Sequence, residues 1–415
     1  MKSIDIMILG ASGFTGKCVV NVLAKLSKDN GSDIIWGVSG RSRDKIQDLL
    51  MELDNEGLQT NNIPVVECDI KDPDSIKKLT QTTRILINCT GPNTLLSPPI
   101  VEACIKAGTH YLDISAELFH ILNLYRNYNK AAEEANVLVI PACGFSAIPT
   151  EAGLIHLERH FKGTLNTVEC YAELSMPKRA YIPGKSLVHY GTWESMVHVM
   201  EDLKKYQELK RQTFPEPVAP VPEDMKKSFF HRHKGKIWFP YPGTENDVSE
   251  MSQRYLFEKT QKKPLHFKAY TTMPLLIHYI IVPVFFLYYY LCTFKCFRRL
   301  MKNYPRFFSL CYMSHKGPSD RMRNETKFSF TLHGKGWNNG TDLKAKPSKS
   351  LTVKVSCTDP GYRTTAVSIV CSAITVLKET IKMPEGGVIM PGAAFHNTGI
   401  VDRLIDQGIT YEIVE

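Results

Sequence analysis

The sequence predicts an α/β protein in two parts: a doubly wound N-terminal unit, then an α+β unit on a mostly antiparallel sheet that carries an inserted apolar hairpin. Three observations predict it. Residues 1–141 alternate short β-rich runs with helical stretches, the first of those runs closes on glycines spaced three apart, and the longer strands after Pro149 are interrupted by a stretch without charge.

Strands are expected at Ile4–Leu9, Ile34–Ser39, Pro64–Cys68, Ile85–Cys89, His110–Asp113 and Val137–Pro141, where aliphatic and β-branched residues cluster. Helices fit between them at Gly16–Leu26, Ser42–Leu53, Pro73–Thr80, Pro98–Ala107 and Leu118–Ala135. Six strands with helical crossovers suffice for a complete doubly wound unit. Beyond Pro149 the strand candidates lengthen to Thr167–Leu174, Phe328–His333 and Leu351–Cys357, with a helix at Ala366–Glu379. Between Phe214 and Lys236, Pro215, Pro217, Pro220 and Pro222 alternate with acidic residues, which reads as a mobile loop or lid, or a solvated connection.

The turn Gly10-Ala-Ser-Gly-Phe-Thr-Gly16 lies after the first strand and opens the first helix. In that place glycines have separate tasks: Gly10 makes the tight turn, Gly13 lets backbone approach a pyrophosphate, and Gly16 lets helix pack on sheet. Ser12, Phe14 and Thr15 complete a phosphate cradle at a helix N-terminus. The N-terminal unit is therefore expected to be an NAD(P)-binding Rossmann domain. NAD enzymes usually end the second strand on a carboxylate for the ribose hydroxyls, but here it runs Ser39-Gly-Arg41-Ser42. Arg41 can pair with a 2′-phosphate, and Ser39 and Ser42 can add hydroxyl donors, so NADP(H) is favoured over NAD(H). Asp69, and Thr90-Gly91-Pro92 after the fourth strand, are expected to border the cofactor.

With 43% hydrophobic and 22% charged residues the chain reads as folded, and its net charge of +9 comes without a basic tract interleaved with aromatics, so nucleic acid is not an expected partner. The eleven cysteines form no CxxC pairs, which points to reduced thiols rather than a disulfide framework or a metal site. No signal-peptide pattern precedes the first strand, so secretion is not expected.

From Met273 to Phe294 the chain has 22 residues without Asp, Glu, Lys or Arg. As one helix this would reach about 33 Å, enough to span hydrocarbon. Positive residues flank both sides, Lys262, Lys263 and Lys268 before and Lys295, Arg298, Arg299, Lys302 and Arg306 after, so charge selects no orientation. Pro283 divides the run, which predicts a hairpin entering one leaflet from one face, with Tyr288, Tyr289 and Tyr290 at the interface and the basic residues on anionic headgroups. A buried core helix or dimer interface is the alternative. Cys292 and Cys296 are either palmitoylation sites or apolar fillers.

Gly-Ala-Ser-Gly-Phe-Thr-Gly at 10–16, Gly-Arg-Ser at 40–42, Asn-Cys-Thr-Gly-Pro at 88–92, Tyr-Leu-Asp-Ile-Ser at 111–115 and Pro-Gly-Ala-Ala-Phe at 391–395 occur in order over nearly the whole chain. Together they resemble the saccharopine dehydrogenase-like oxidoreductases, in the animal branch that carries an apolar insertion. More distantly the chain is similar to bacterial trans-acting enoyl reductases that work on lipid intermediates. The resemblance implies a Rossmann domain over 1–141, an α+β substrate and dimerisation domain over 142–385 with the membrane-associated insertion at 270–306, and a C-terminal segment, 386–415, returning to the Rossmann domain. It also implies a homodimer. True saccharopine reductases carry a Gly-Leu-Asp-Pro-Gly-like turn where this chain has Gly144-Phe-Ser-Ala-Ile-Pro149, which points away from an amino-acid substrate. The animal branch usually has Asp where Ser146 stands and Gly where Ala116 stands.

Hydride transfer asks the protein to place the substrate and to supply a proton donor or charge stabiliser. Asp113, Glu117 and Tyr190 are the side chains put forward as catalytic, with Tyr111, Cys143, Ser146, His189, Thr192 and Trp193 also placed by position. Each has a structural alternative: Asp113 as a turn cap, Glu117 at a helix N-terminus, Trp193 as core and Cys143 as an inert buried thiol. No nucleophile elbow is present, so hydrolysis is not indicated. Two readings stand: an NADP(H)-dependent oxidoreductase on the cytosolic face of a membrane or lipid droplet, acting on an apolar carbonyl or enoyl compound, or a catalytically silent NADP(H)-binding sensor or scaffold at that surface.

Overall fold

The structure is a computed structural model that describes residues 2–29, 34–145, 147–181, 185–273 and 275–414. Its first part runs β1 (Ile4–Leu9), α1 (Phe14–Asp29), β2 (Trp36–Gly40), α2 (Arg43–Asn55), β3 (Val65–Glu67), α3 (Pro73–Thr82), β4 (Thr83–Asn88), α4 (Asn93–Ala107), β5 (His110–Asp113), α5 (Leu118–Glu134) and β6 (Leu138–Ile140). Next come α6 (Ile148–Phe161), β7 (Gly163–Ser175), β8 (Val188–His189), α7 (Tyr190–Thr213), β9 (His231–His233), β10 (Lys236–Pro240), α8 (Glu245–Thr260), β11 (His266–Thr271), α9 (Leu275–Leu291), α10 (Lys295–Asn303) and α11 (Pro305–Phe308). The chain ends with β12 (Met313–Ser314), α12 (Asp320–Glu325), β13 (Lys327–Asn338), β14 (Lys349–Thr358), α13 (Thr365–Glu379), β15 (Gly387–Val388), α14 (Pro391–Ala394), α15 (Ile400–Asp406) and β16 (Thr410–Val414).

Two compact units result, Met1–Ile148 with Gly361–Gln407, and Pro149–Pro360 with Gly408–Glu415. The first holds a parallel sheet in the order β15-β6-β5-β4-β1-β2-β3, the doubly wound arrangement extended by one late strand. Its strands are aliphatic on both faces because helices cover both: Ile6, Ile8, Val38, Ile87, Leu112 and Val139 are all fully enclosed. The order reverses between β1 and β4, and the crevice beyond their carboxyl ends is where ligands of such sheets lie.

The division differs from the expected one. α13 was expected in the second domain, but it packs on α1 and against β4 and β5 in the first unit. Its small and apolar residues are buried on nearly every side, so it needs the enclosed layer that a doubly wound sheet provides. The C-terminal segment likewise splits, since β15 joins the parallel sheet while β16 pairs with β14 in the other unit.

The second unit carries a sheet in the order β16-β14-β13-β7-β11-β10-β9, antiparallel except for β7 with β11, as the sequence predicts. Leu332 and Val355 face α6 at Gly153, where a Cβ would press into both side chains.

The apolar insertion departs from the predicted hairpin. α9 continues through Pro283 for 17 residues, roughly 25 Å, and the chain reverses at 292–294 instead. A proline removes one helical hydrogen bond, whereas a reversal strands several carbonyls. Here those carbonyls have a donor: Arg298 gives hydrogen bonds to the oxygens of Cys292 (2.7 Å) and Thr293 (3.2 Å) and is itself held by Glu201 at 2.8 Å. Cys292 then packs with Trp193, Val197, Met200 and Met301 in a small core joining α7, α9 and α10. Among the described residues the segment long and apolar enough to cross a membrane is Pro360–Lys382, which contains the buried α13.

Candidate functional site: the dinucleotide crevice of the first unit

Gly10 has φ of +82°, a left-handed conformation that glycine adopts without strain, and a Cβ there would meet Thr90 and the backbone of Cys89 about 3 Å away. A Cβ on Gly16 would overlap the carbonyl oxygen of Gly10. Gly13 is exposed at the lip of the turn, with only that same oxygen near its missing Cβ, at 3.2 Å. The turn is fixed from β2, because Gly10 and Ala11 donate their N–H groups to the Ser39 carbonyl at 2.9 and 3.1 Å. These are the demands of a backbone that must approach a phosphate closely at the start of a helix. Phe14 stands edge-on to Tyr362, ring centroids 4.7 Å apart, and Ser12 and Thr15 are half-buried beside it.

Arg41 is exposed at the carboxyl end of β2. Ser42 caps α2, its Oγ accepting from the Lys45 N–H at 3.4 Å. Ser39 differs from expectation: it is fully buried and its hydroxyl is enclosed without a hydrogen-bond partner, so its contribution is the carbonyl that holds the glycine turn. Asp69 is exposed after β3 and its carboxylate accepts from the Lys71 N–H at 3.0 Å. Thr90 donates its hydroxyl to Asn88 Oδ1 at 2.6 Å, and the cis Gly91–Pro92 peptide leads into α4.

Behind β4 and β5 lies a buried polar network. Asn88 Nδ2 donates to Ser97 Oγ (3.0 Å) and to the Tyr111 hydroxyl (2.9 Å), and that hydroxyl donates to Asp113 Oδ2 at 3.0 Å. His120 Nε2 lies 3.0 Å from the same oxygen. Asp113 Oδ1 accepts the N–H groups of Ser115 (2.9 Å) and Ala142 (3.0 Å), tying the loops after β5 and β6 together. Glu117 reaches back to the start of α4, accepting from the N–H groups of Asn93 (3.0 Å) and Thr94 (2.8 Å) and from the Thr94 hydroxyl (2.5 Å). Ser115 joins the two residues, its N–H donating to the Asp113 carboxylate and its Oγ accepting the Glu117 backbone N–H at 3.1 Å. Both acids are thus committed to holding backbone, in the way an N-cap carboxylate does.

The Asn-Cys-Thr-Gly-Pro run at 88–92 contains Asn88, but nothing local points to His120 or Ser97, whose polarity is explained only when helices and strands come together. Burial, with Asp113 adding, pushes the Cys143 thiol well above its ordinary value, which makes it inert as a nucleophile. Ser146 lies outside the described residues.

Tyr190 belongs to the second unit. It opens α7, stacks on His315 with centroids 4.2 Å apart, and burial followed by the nearby Glu194 raises its phenol pKa. His189 caps the same helix, Nδ1 accepting the Gly191 N–H at 3.0 Å. Trp193 is core, its indole donating to the Met301 carbonyl at 2.9 Å, and Thr192 is exposed.

A parallel sheet reversing at β1/β4, a glycine cradle in which side chains do not fit, and a basic rather than acidic residue ending β2 define a dinucleotide-binding unit. The family model for the saccharopine dehydrogenase NADP-binding domain matches residues 6–140. The saccharopine dehydrogenase-like oxidoreductase of Mus musculus is 30% identical over 427 residues, covering 100% of this chain and 98% of its own. A Caenorhabditis elegans relative described as a lipid droplet localized protein is 27% identical, covering 100% of this chain and 99% of its own. Saccharopine dehydrogenase (L-Glu forming) of Saccharomyces cerevisiae shares the fold with a TM-score of 0.56 at 12% identity, each chain covered in full. The chain belongs to the saccharopine dehydrogenase-like oxidoreductase family, and its first unit is an NADP(H)-binding domain.

Proposed function

We propose that the protein is an NADP(H)-dependent oxidoreductase working at a lipid-droplet surface or the cytosolic face of a membrane, on an apolar or lipid-derived carbonyl or enoyl substrate. The observation that carries the reading is the surface of α9–α11 in a chain that also holds the cofactor cradle. Ile280 (67%), Tyr290 (62%), Phe307 (75%) and Leu310 (70%) are exposed there, and Lys295, Arg299 and Arg306 stand among them. Apolar side chains rimmed by cations suit a lipid interface with anionic headgroups. The name of the nematode relative supports the droplet.

Bound NADP(H) would supply the hydride. In this reading Gly10, Ser12, Gly13, Phe14, Thr15 and Gly16 hold its pyrophosphate, Arg41 and Ser42 its 2′-phosphate, and Asp69, Thr90, Gly91 and Pro92 border it. Asp113 and Glu117 then act as positioning residues, fixing the loops after β4, β5 and β6. Tyr190 is the proton donor we assign, because among the described residues its hydroxyl has no hydrogen-bond partner and its raised pKa keeps the proton in place.

A second reading, an NADP(H)-binding sensor or scaffold without turnover, draws on the same network, since both acidic candidates are occupied by backbone N–H groups and neighbouring side chains. Purified protein on phospholipid-coated oil droplets, incubated with NADPH and a panel of fatty enals and ketones, separates the two. Oxidation of NADPH that falls at least about tenfold in Tyr190→Phe with unchanged NADPH affinity supports the enzyme. NADPH binding with no oxidation across the panel supports the scaffold.

A further inference from the structure

The proline-rich stretch after α7 is not an open connection. Together with α8 and β11 it encloses a cavity of about 470 Å³ in the second unit, within the size range of small-molecule sites. The cavity follows from an interrupted strand pairing. β10 ends at Pro240 and meets β11 only at Tyr270 and Thr271, so the rest of that edge of β11 has no strand beside it. Side chains of α8 close its two ends: Asn246 Oδ1 accepts the Ala269 N–H at 2.7 Å, and Gln253 Oε1 accepts the Leu265 N–H at 3.3 Å. The gap between those caps opens into the cavity.

Its charges balance in number but not in pairing. Lys210 is 2.7 Å from both Asp247 and Glu250, and Lys227 pairs with Glu169. Lys268, by contrast, donates to a neutral acceptor, the Met225 carbonyl at 3.2 Å, and has no carboxylate partner among the described residues. Two residues along the strand, Tyr270 is 4% exposed, and its hydroxyl has no hydrogen-bond partner among the described residues. Burial, then the charge of Glu169, pushes its pKa up to about 12, so it stays a donor. A buried donor without an acceptor costs free energy that a ligand oxygen would return. The remaining wall is mostly apolar, with Val218, Phe229 and Phe267 lining it beside Ser228 and His266, and Val221 is 42% exposed.

We propose that this cavity binds a single-chain amphiphilic anion, its carboxylate or phosphate head held by Lys268 and Tyr270 and its chain laid along Val218, Val221, Phe229 and Phe267. This site is separate from the cofactor crevice and independent of whether the protein turns over substrate.

The test is a fluorescence titration of the full-length protein with 11-(dansylamino)undecanoate below its micelle concentration, with NADPH affinity as the check on folding. Saturable one-to-one binding is expected, weakened by about tenfold or more in Lys268→Glu, less in Tyr270→Phe, and abolished when Val221→Trp fills the space, with NADPH affinity unchanged. Lys268→Met serves if the charge reversal disturbs folding. Displacement by decanoate but not decyl phosphate assigns a carboxylate head, and the reverse assigns a phosphate. Equal binding in wild type, Lys268→Met and Val221→Trp overturns the proposal. So does binding lost instead in Leu287→Asp/Phe307→Asp, which would place the probe on the exposed surface of α9 and α11.

Discussion

The glycine turn at residues 10–16 and the apolar segment from Met273 to Phe308 are both short, distinctive stretches, yet they take their shapes from different sources. In the turn each position is dictated by its immediate surroundings: Gly10 must be left-handed, and Gly16 must lack a Cβ because the Gly10 carbonyl occupies that space. In the apolar segment the proline that marks a break locally is overridden. The reversal falls where Arg298 and Glu201 can satisfy the helix end and where Trp193 and Met200, about a hundred residues earlier, offer a core for Cys292. Local geometry can be read from a motif, whereas a choice among stopping points depends on partners the motif does not contain.

The largest expected effect sharpens the first half of that comparison. Gly16→Ala sets a methyl against the Gly10 carbonyl, so NADPH affinity should fall by about a hundredfold or more with a lowered melting temperature, as calorimetry and thermal unfolding would show. Full-strength binding in the variant would mean that the turn relaxes easily and is not locally determined.

The next effect probes the other half. Leu287→Asp/Phe307→Asp removes two exposed apolar side chains, each contributing about 1.5–3 kcal/mol if buried in lipid, and should release the protein from isolated droplets, whereas high salt alone should not. Point substitutions are preferable to deleting the segment, because deletion would take Cys292 out of the core around Trp193. Droplet binding unaffected by the pair would assign the apolar surface to a protein partner.

How much was legible follows the same line. The six N-terminal strands, the cofactor turn and the antiparallel second sheet were readable because periodicity and glycine spacing are local signals. α4 starts at Asn93 rather than Pro98, since the carboxylate that caps it, Glu117, arrives from after β5. Ser39 read as a ligand donor because a hydroxyl at a strand end usually faces the crevice, but the pleat turns it inward. α13 could not be assigned to its unit because a helix buried all round carries no face that says against what it packs.

A smaller effect concerns the buried polar side of the first unit. His110 Nδ1 accepts the Leu138 N–H at 3.0 Å, and burial, then Lys2 and Arg84, lower its pKa to about 4. An unfolded histidine titrates near 6.5, so between those values the unfolded chain binds the extra proton. The contribution is present above about pH 6.5 and is lost as pH falls toward 4, on the order of one to three kcal/mol. The fall in melting temperature over that window should be shallower in His110→Gln, and equal slopes would remove His110 as the cause.

The most direct test of the central claim, that this crevice is built for NADP(H), is calorimetry of NADPH and NADH on wild type and on Arg41→Asp. Arg41 stands exposed where a ribose-binding carboxylate would otherwise be, and reversing its charge replaces a phosphate partner with a like charge. The account predicts that wild type prefers NADPH and that the variant loses most of that preference while NADH affinity changes little. Equal losses for both nucleotides, or a wild type that binds NADH as tightly as NADPH, would contradict it.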